Sequence, residues 1–287
     1  MRGDVYQKEV ISKCEALSAC GLWAEEQKLD PRGWLNNFEP EDKEIATILL
    51  DHFIFYSQRF TDKLLQSAYD SLGSITDITD KINTAYFTPV KGESSSITDS
   101  GYYIVRKARQ LLEIPDDLLV DTRKAIIHAE NGNMVVFLDD FVGSGDQFIK
   151  MWKNTEFYNG VSFEKVMEKK PFCAVYVTIA TTINGLKEIN KSVSGVQVIP
   201  CHVLDDSISI KSIDLKGYTH LELDLFLDKY SRRLQPTEHY MAIKEHKKYG
   251  YKRIGLLIAF EHSVPDATLP IFWAPGSENW VPLFKRS

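Results

Sequence analysis

The chain has 287 residues, 44% hydrophobic and 26% charged, with 16 Gly and 11 Pro, which supports a packed core and excludes collagen-like, low-complexity and mini-protein classes. Its 34 Lys and Arg against 40 Asp and Glu leave a net charge of −6, the wrong sign for gripping nucleic acid over the whole surface, although a local basic patch stays open. The length allows one large domain or one domain with an appendage.

Cys14, Cys20, Cys173 and Cys201 show no CxxC spacing and are expected to be free thiols of a reducing cytosol. The N-terminal segment is too charged for a signal peptide, and no apolar run approaches the ~18 residues of a membrane span. The expectation is a soluble, cytoplasmic protein with no membrane partner.

Residues 1–80 read as a helical N-terminal extension. After Pro40, residues Ile45, Ile48, Leu49, His52, Phe53 and Tyr56 recur three and four apart, the stripe of an amphipathic helix. Phe60, Leu64, Leu65, Ala68, Tyr69 and Leu72 repeat the pattern, with Gly73 as a stop. Upstream, Trp23, Trp34 and Phe38 sit among turn residues and suggest an irregular plug, for which core packing is the simpler reading.

From residue 81 to 287 the pattern becomes α/β. Short apolar runs at 84–90, 135–138, 172–179, 196–203 and 254–260 alternate with helical stretches such as 102–112 and 118–129, which predicts a mostly parallel sheet with right-handed crossovers.

One segment carries chemistry: Asn133-Met-Val-Val-Phe-Leu-Asp139-Asp140-Phe-Val-Gly143-Ser144-Gly145-Asp146-Gln147-Phe148-Ile149. A buried strand runs into two acids, a Gly-Ser-Gly turn and a helix, at the carboxyl end of a strand where open α/β sheets bind ligands. Glycines admit an anion close to the backbone, the opening N–H groups of the helix point at it, and Ser144 adds a hydroxyl. The acids suit a ribose diol or Mg²⁺ rather than the phosphate itself. Phosphate and diol together describe a ribose 5-phosphate.

At these residues the sequence resembles the phosphoribosyltransferases, whose signature is a hydrophobic strand, two acids, two apolar residues and a small-residue phosphate loop. The resemblance implies a type I phosphoribosyltransferase-like fold, with Asp139 and Asp140 facing ribose hydroxyls in catalytic roles and Gly143, Ser144, Gly145, Asp146 and Gln147 holding the 5-phosphate. Asp146 and Gln147 stand where the family usually has Gly and Thr or Ser, and a carboxylate in a phosphate loop is unfavourable unless it points out, caps the helix or meets a metal. The resemblance also implies a pyrophosphate loop after the first strand, where Lys91, Gly92 and Ser94 offer a cation, a glycine and a hydroxyl, with Mg²⁺ as cofactor for a pyrophosphate-type ligand. Thr181 and Thr182 fall near the substrate in such a fold, or cap the next helix. The helices at 102–129 leave no obvious room for the family's long hood loop, which sets ordinary transfer to a base in question.

Near the C-terminus, His262 follows the last strand, a position for acid–base work or for a cap. The segment Pro265-Asp-Ala-Thr-Leu-Pro-Ile-Phe272-Trp273 and Trp280 form either a lid, with Trp273 stacking on a base, or a tail that closes the core. Between His239 and Arg253 five cations face one acid among tyrosines, a solvated helix face or a local phosphate or nucleic-acid surface. The histidines form no HxH or HExxH pattern, so no structural metal is expected.

Residues Trp34 to Phe38, the acid pair with Gly-Ser-Gly, and the 265–273 tail together resemble the phosphoribosyltransferase-like proteins of PRTase-CE type from bacterial conflict and antiphage systems, including retron-associated ones. This resemblance implies a defence effector or accessory protein binding phosphoribosyl pyrophosphate or a nucleotide. Its activity would be phosphoribosyl transfer, glycosyl transfer or nucleotide cleavage at ribose C1. The alternative is a catalytically inactive nucleotide sensor or a structural subunit of a retron-type complex. Implied partners are a reverse transcriptase or another effector with associated nucleic acid.

Overall fold

Continuous apolar runs and stripes of period three to four fold as strands and helices in the computed structural model, which describes residues 2–24, 28–73, 78, 81–91, 100–235, 244–277 and 279–285. In chain order come α1 (Arg2–Ala19), α2 (Pro31–Leu35), α3 (Lys43–His52), β1 (Ile54–Tyr56) and α4 (Gln58–Leu72). Then follow β2 (Tyr86–Pro89), α5 (Ser100–Leu112), α6 (Thr122–Glu130), β3 (Val135–Val142), α7 (Asp146–Lys153) and α8 (Phe163–Lys169). The chain continues through β4 (Ala174–Thr182), α9 (Ile183–Ser192), β5 (Val196–Leu204), α10 (His220–Ser231), α11 (Lys244–Tyr249), β6 (Ile258–Phe260) and α12 (Pro270–Trp273).

The α/β class with parallel sheets holds. Contacts divide the chain into two compact units, residues 61–205 and residues 1–60 with 206–287, a division that does not fall at the expected residue 80.

In the 61–205 unit the four-stranded sheet has the order β2-β3-β4-β5, parallel throughout, with Val135 opposite Ala174 and Phe137 opposite Tyr176. Parallel neighbours require helical crossovers, and α5 to α9 supply them. Val135, Phe137, Ala174 and Tyr176 share one face and pack with Ala125 and Ile126 of α6, Phe148 and Trp152 of α7 and Phe163 of α8. Trp152 stacks on Phe163 at 5.7 Å, and Phe163 meets Phe137 edge-on at 4.9 Å. Helices α6 and α8 begin at Asp121 and Ser162, whose side chains accept from the third backbone N–H beyond them.

In the 1–60/206–287 unit, Ile45 to Leu50 of α3 are all buried. The predicted stripe through Phe53 and Tyr56 is corrected here. The helix stops at His52 and the chain turns extended, because residues 54–56 pair in parallel with 258–260. That pairing also corrects the fifth predicted strand: only Ile258–Phe260 is strand, and it belongs to this two-stranded sheet.

The aromatic plug and the tail meet in this unit's core. Trp34 donates its indole N–H to the Ile271 carbonyl at 2.8 Å and stacks on Phe272 at 5.0 Å. Phe38 lies edge-on to Trp34, Tyr230 and Trp280. Asn37 donates to the Val281 carbonyl and accepts from the Val281 N–H, a two-way clasp on the tail. Among the described residues, no disulfide joins the four cysteines. Among the described residues, no helix is long and apolar enough to cross a membrane.

Trp34 has no exposed surface and combines a buried hydrogen bond with ring packing. Trp34→Ala is expected to cost about 3–5 kcal/mol, read as a lower midpoint in urea unfolding followed by fluorescence.

Candidate functional site

Because β2 to β5 run parallel in near-level register, with Pro89 opposite Leu138 and Val142 opposite Thr181, their carboxyl ends open on one edge. This edge brings together the segment after β2, the acids of β3, the turn into α7 and the junction of β4 with α9. The strand carrying the acids is longer than its apolar run predicts: pairing with β4 continues through Phe141 and Val142. Asp139 and Asp140 therefore lie within the strand, 3% and 5% exposed.

Asp139 is held from inside the fold. Its Oδ2 accepts from the Tyr176 hydroxyl at 2.7 Å and its Oδ1 from the Asp140 backbone N–H at 3.0 Å. Burial pushes Asp139 well above the usual carboxylate range, the neighbouring charge of Asp140 adds to this, and the Tyr176 hydrogen bond opposes it. Tyr176 is pushed well above the ordinary phenol range by burial and by Asp139. The tyrosine ring stacks on Phe148 at 4.1 Å, so the side chain that positions Asp139 is itself locked by α7. Sequence reasoning missed Tyr176. Only the β3–β4 register, with Phe137 opposite Tyr176, brings it to Asp139 two positions along.

The turn at 143–145 is clamped to the start of α9. The Thr182 hydroxyl donates to the Gly143 carbonyl at 2.5 Å and accepts from the Gly185 N–H at 2.9 Å, capping α9 and bracing the loop together. A Cβ on Gly185 would lie 2.4 Å from the Gly143 carbonyl oxygen, so this close approach requires glycine. Gly145 has φ +81°, and a Cβ there would meet the Gly185 carbonyl and the Ile189 side chain at 3.0 Å. Its bareness thus serves the loop's packing on α9 as well as a left-handed turn. Beyond it the opening N–H groups of α7 have no partners within the helix.

Asp146 accepts from the Ser144 hydroxyl at 2.8 Å. This carboxylate occupies the first turn of α7, where the helix dipole favours it, and it engages the hydroxyl that the sequence assigned to a phosphate. Gln147 is half-buried in the same turn, and Thr181 is wholly buried, donating to the Thr182 carbonyl at 3.1 Å. Lys91 is half-buried after β2, its ammonium 5.8 Å from the Phe157 ring and 6.0 Å from the Tyr102 ring. Gly92 and Ser94 lie outside the described residues.

Two expected site residues belong to the other unit. His262 is half-buried just past β6, its ring 5.5 Å from Phe260. The lid expected of Trp273 is corrected: its ring is 3% exposed in the core, its indole N–H directed at the Thr268 carbonyl at 3.4 Å. A ring packed on all sides has no face to offer a base, and of the two readings of this tail the core-closing one describes Phe272, Trp273 and Trp280.

The PRTase-CE family model matches residues 31–286. None of the curated proteins matches. Among solved structures the chain is similar to orotate phosphoribosyltransferase from Aeropyrum pernix, with 15% identity over 48% of this chain and 69% of that one and a TM-score of 0.28. It is also similar to the AQ2163 protein from Aquifex aeolicus, with 12% identity over 60% of this chain and 82% of that one and a TM-score of 0.32.

The raised Asp139 gives a signed pH dependence. Between the ordinary carboxylate range and its raised folded value, the folded state keeps a proton that the unfolded chain has lost, so stability declines as pH rises through that window. Asp139→Asn removes the decline. Melting temperatures at pH 5 and pH 8 are expected to differ less in the variant than in the wild type.

Proposed function

The chain belongs to the PRTase-CE family, and on that premise we propose that its 61–205 unit binds a ligand containing ribose 5-phosphate, phosphoribosyl pyrophosphate or a nucleotide, at the carboxyl edge of the four-stranded sheet. The observation that carries this reading is the buried acid pair followed within three residues by a clamped Gly-Ser-Gly turn and a helix N-terminus. In this proposal the 5-phosphate sits on the N–H groups of residues 143–147, and Asp140 contacts the ribose hydroxyls. Asp139, engaged by Tyr176, acts as a positioning residue for its neighbour.

The donor set suits Mg²⁺ held jointly with a ligand. Such an ion takes one or two carboxylates plus ligand oxygens, and the described residues contain no protein-only group of three His, Cys, Asp or Glu. Asp140 would hold the ion, whose contribution is to offset pyrophosphate charge. Chemistry at ribose C1 would pass through an oxocarbenium-like state stabilised by the Asp140 carboxylate, with Lys91 and the 92–94 segment assigned to the pyrophosphate.

A second reading is favoured by one contact. Asp146 holds the Ser144 hydroxyl and places a carboxylate in the phosphate loop, which suits weak, regulated binding by a nucleotide sensor without turnover. In either reading we assign the chain to a bacterial antiphage system, of the retron-associated kind, with a reverse transcriptase or another effector and associated nucleic acid as partners. The support for this is the resemblance of residues 34–38 and 265–273.

Titration calorimetry and turnover assays with phosphoribosyl pyrophosphate test the proposal. Asp140→Asn and Gly145→Val are expected to abolish binding or turnover, and unchanged binding in both would overturn the site. Asp146→Asn removes a like charge from the loop and is expected to tighten binding about ten-fold. Tight binding by the wild type with no product formed would select the sensor, and product formed by the wild type but not by Asp140→Asn, with phage protection lost in that variant, would select the enzyme.

A further inference from the structure

A cavity of about 580 Å³ is lined by residues of the 1–60/206–287 unit. Its floor is apolar, made by Ile210, Leu223 and Leu227. Its rim carries three cations, exposed Lys211, Lys252 and Arg253, with the exposed imidazole of His220 beside them. The one carboxylate in the lining, Asp224, is already engaged, accepting from the Tyr249 hydroxyl and pairing with Lys248 at 3.0 Å. The Arg253 guanidinium lies 5.3 Å from the Tyr249 ring.

The backbone that presents the two C-terminal cations is strained. Lys252 and Arg253 are consecutive non-glycine residues in the left-handed region, φ +53° and +57°. Each such residue is costly and persists only where its surroundings over-determine it, a condition met most often at ligand clamps. Here the surroundings do so. Tyr251 N–H donates to the Asp266 carbonyl at 2.7 Å, Gly255 N–H to the Tyr249 carbonyl at 2.9 Å, and Ile210 N–H to the Gly255 carbonyl at 3.0 Å. Gly250 packs so tightly on residues 267–268 that a Cβ would lie 2.8 Å from their backbone. Straightening the segment would break this net, so its hydrogen bonds hold both cations at the cavity mouth.

We propose that this cavity is a second binding site, for a nucleoside phosphate. The volume falls in the range of small-molecule sites. An apolar floor with Tyr249 at its wall suits a base, and a rim of Lys211, Lys252 and Arg253 suits a diphosphate, which a guanidinium can grip with two parallel hydrogen bonds. Every lining residue belongs to the 1–60/206–287 unit, whereas the edge proposed for ribose 5-phosphate belongs to the 61–205 unit.

Calorimetric titration of the full chain with ADP tests this. With Gly145→Val present throughout to close the first site, the otherwise wild-type chain is expected to bind one equivalent that Lys252→Gly with Arg253→Gly loses or weakens by about ten-fold, and that rising salt weakens. Glycine accepts a positive φ without strain, so the melting temperature of that variant is expected to hold or rise. Lys252→Asn with Arg253→Asn, which also tolerates this backbone, must show the same loss. Equal stoichiometry and affinity in the otherwise wild-type chain and both variants, or no ADP binding by that chain, would overturn the site.

Discussion

Two adjacent carboxylates on a buried inner strand of a parallel sheet set the terms for this protein. Water cannot reach Asp139 to solvate its charge, and Asp140 stands beside it. An isolated carboxylate there would be strongly unfavourable. The fold answers with the Tyr176 hydroxyl, the Asp140 backbone N–H and a shift of Asp139 towards its protonated form. A strand designed for stability alone would carry valine at both positions, as β3 does at Val135 and Val136. Retaining acids there is the kind of local conflict that marks functional sites.

The same economy governs the loop that follows. One hydroxyl, on Thr182, caps α9 and fixes the Gly143 carbonyl, and two glycines let loop and helix touch. A ligand loop built this way is pre-shaped by a neighbouring helix, which reduces the ordering that binding must impose.

Much was legible in the residues. The runs at 135–138 and 172–179 hold buried strands of a parallel sheet, because continuous apolar runs are buried only with helices on both faces, while 196–203 forms the half-exposed edge strand of the same sheet. The acid–glycine segment was visible as a strand–turn–helix unit. Three things were not visible. Tyr176 lies 37 residues from Asp139 and reaches it through strand register. Tyr56 and Phe53 fit a helical stripe, and only pairing with residues 258–260 made this segment extended. Trp273 had the look of a lid, but burial depends on what packs around it, and that is supplied in part by residues 34–38.

Sequence alone determined the α/β class, the position of the acid pair ahead of a glycine turn, and the basic character of residues 244–253, since these follow from local periodicity and charge. Tertiary structure decided which acid is held inward, that the glycines serve a loop–helix clamp, and that the first 60 residues form one unit with the last 82. It also turned a stretch readable as a solvated helix face into the rim of a cavity. Each of these depends on contacts between residues distant in the chain, formed only once the core selects its partners. The net charge of −6 left room for local basic patches, and folding places four cationic or imidazole side chains around one apolar floor.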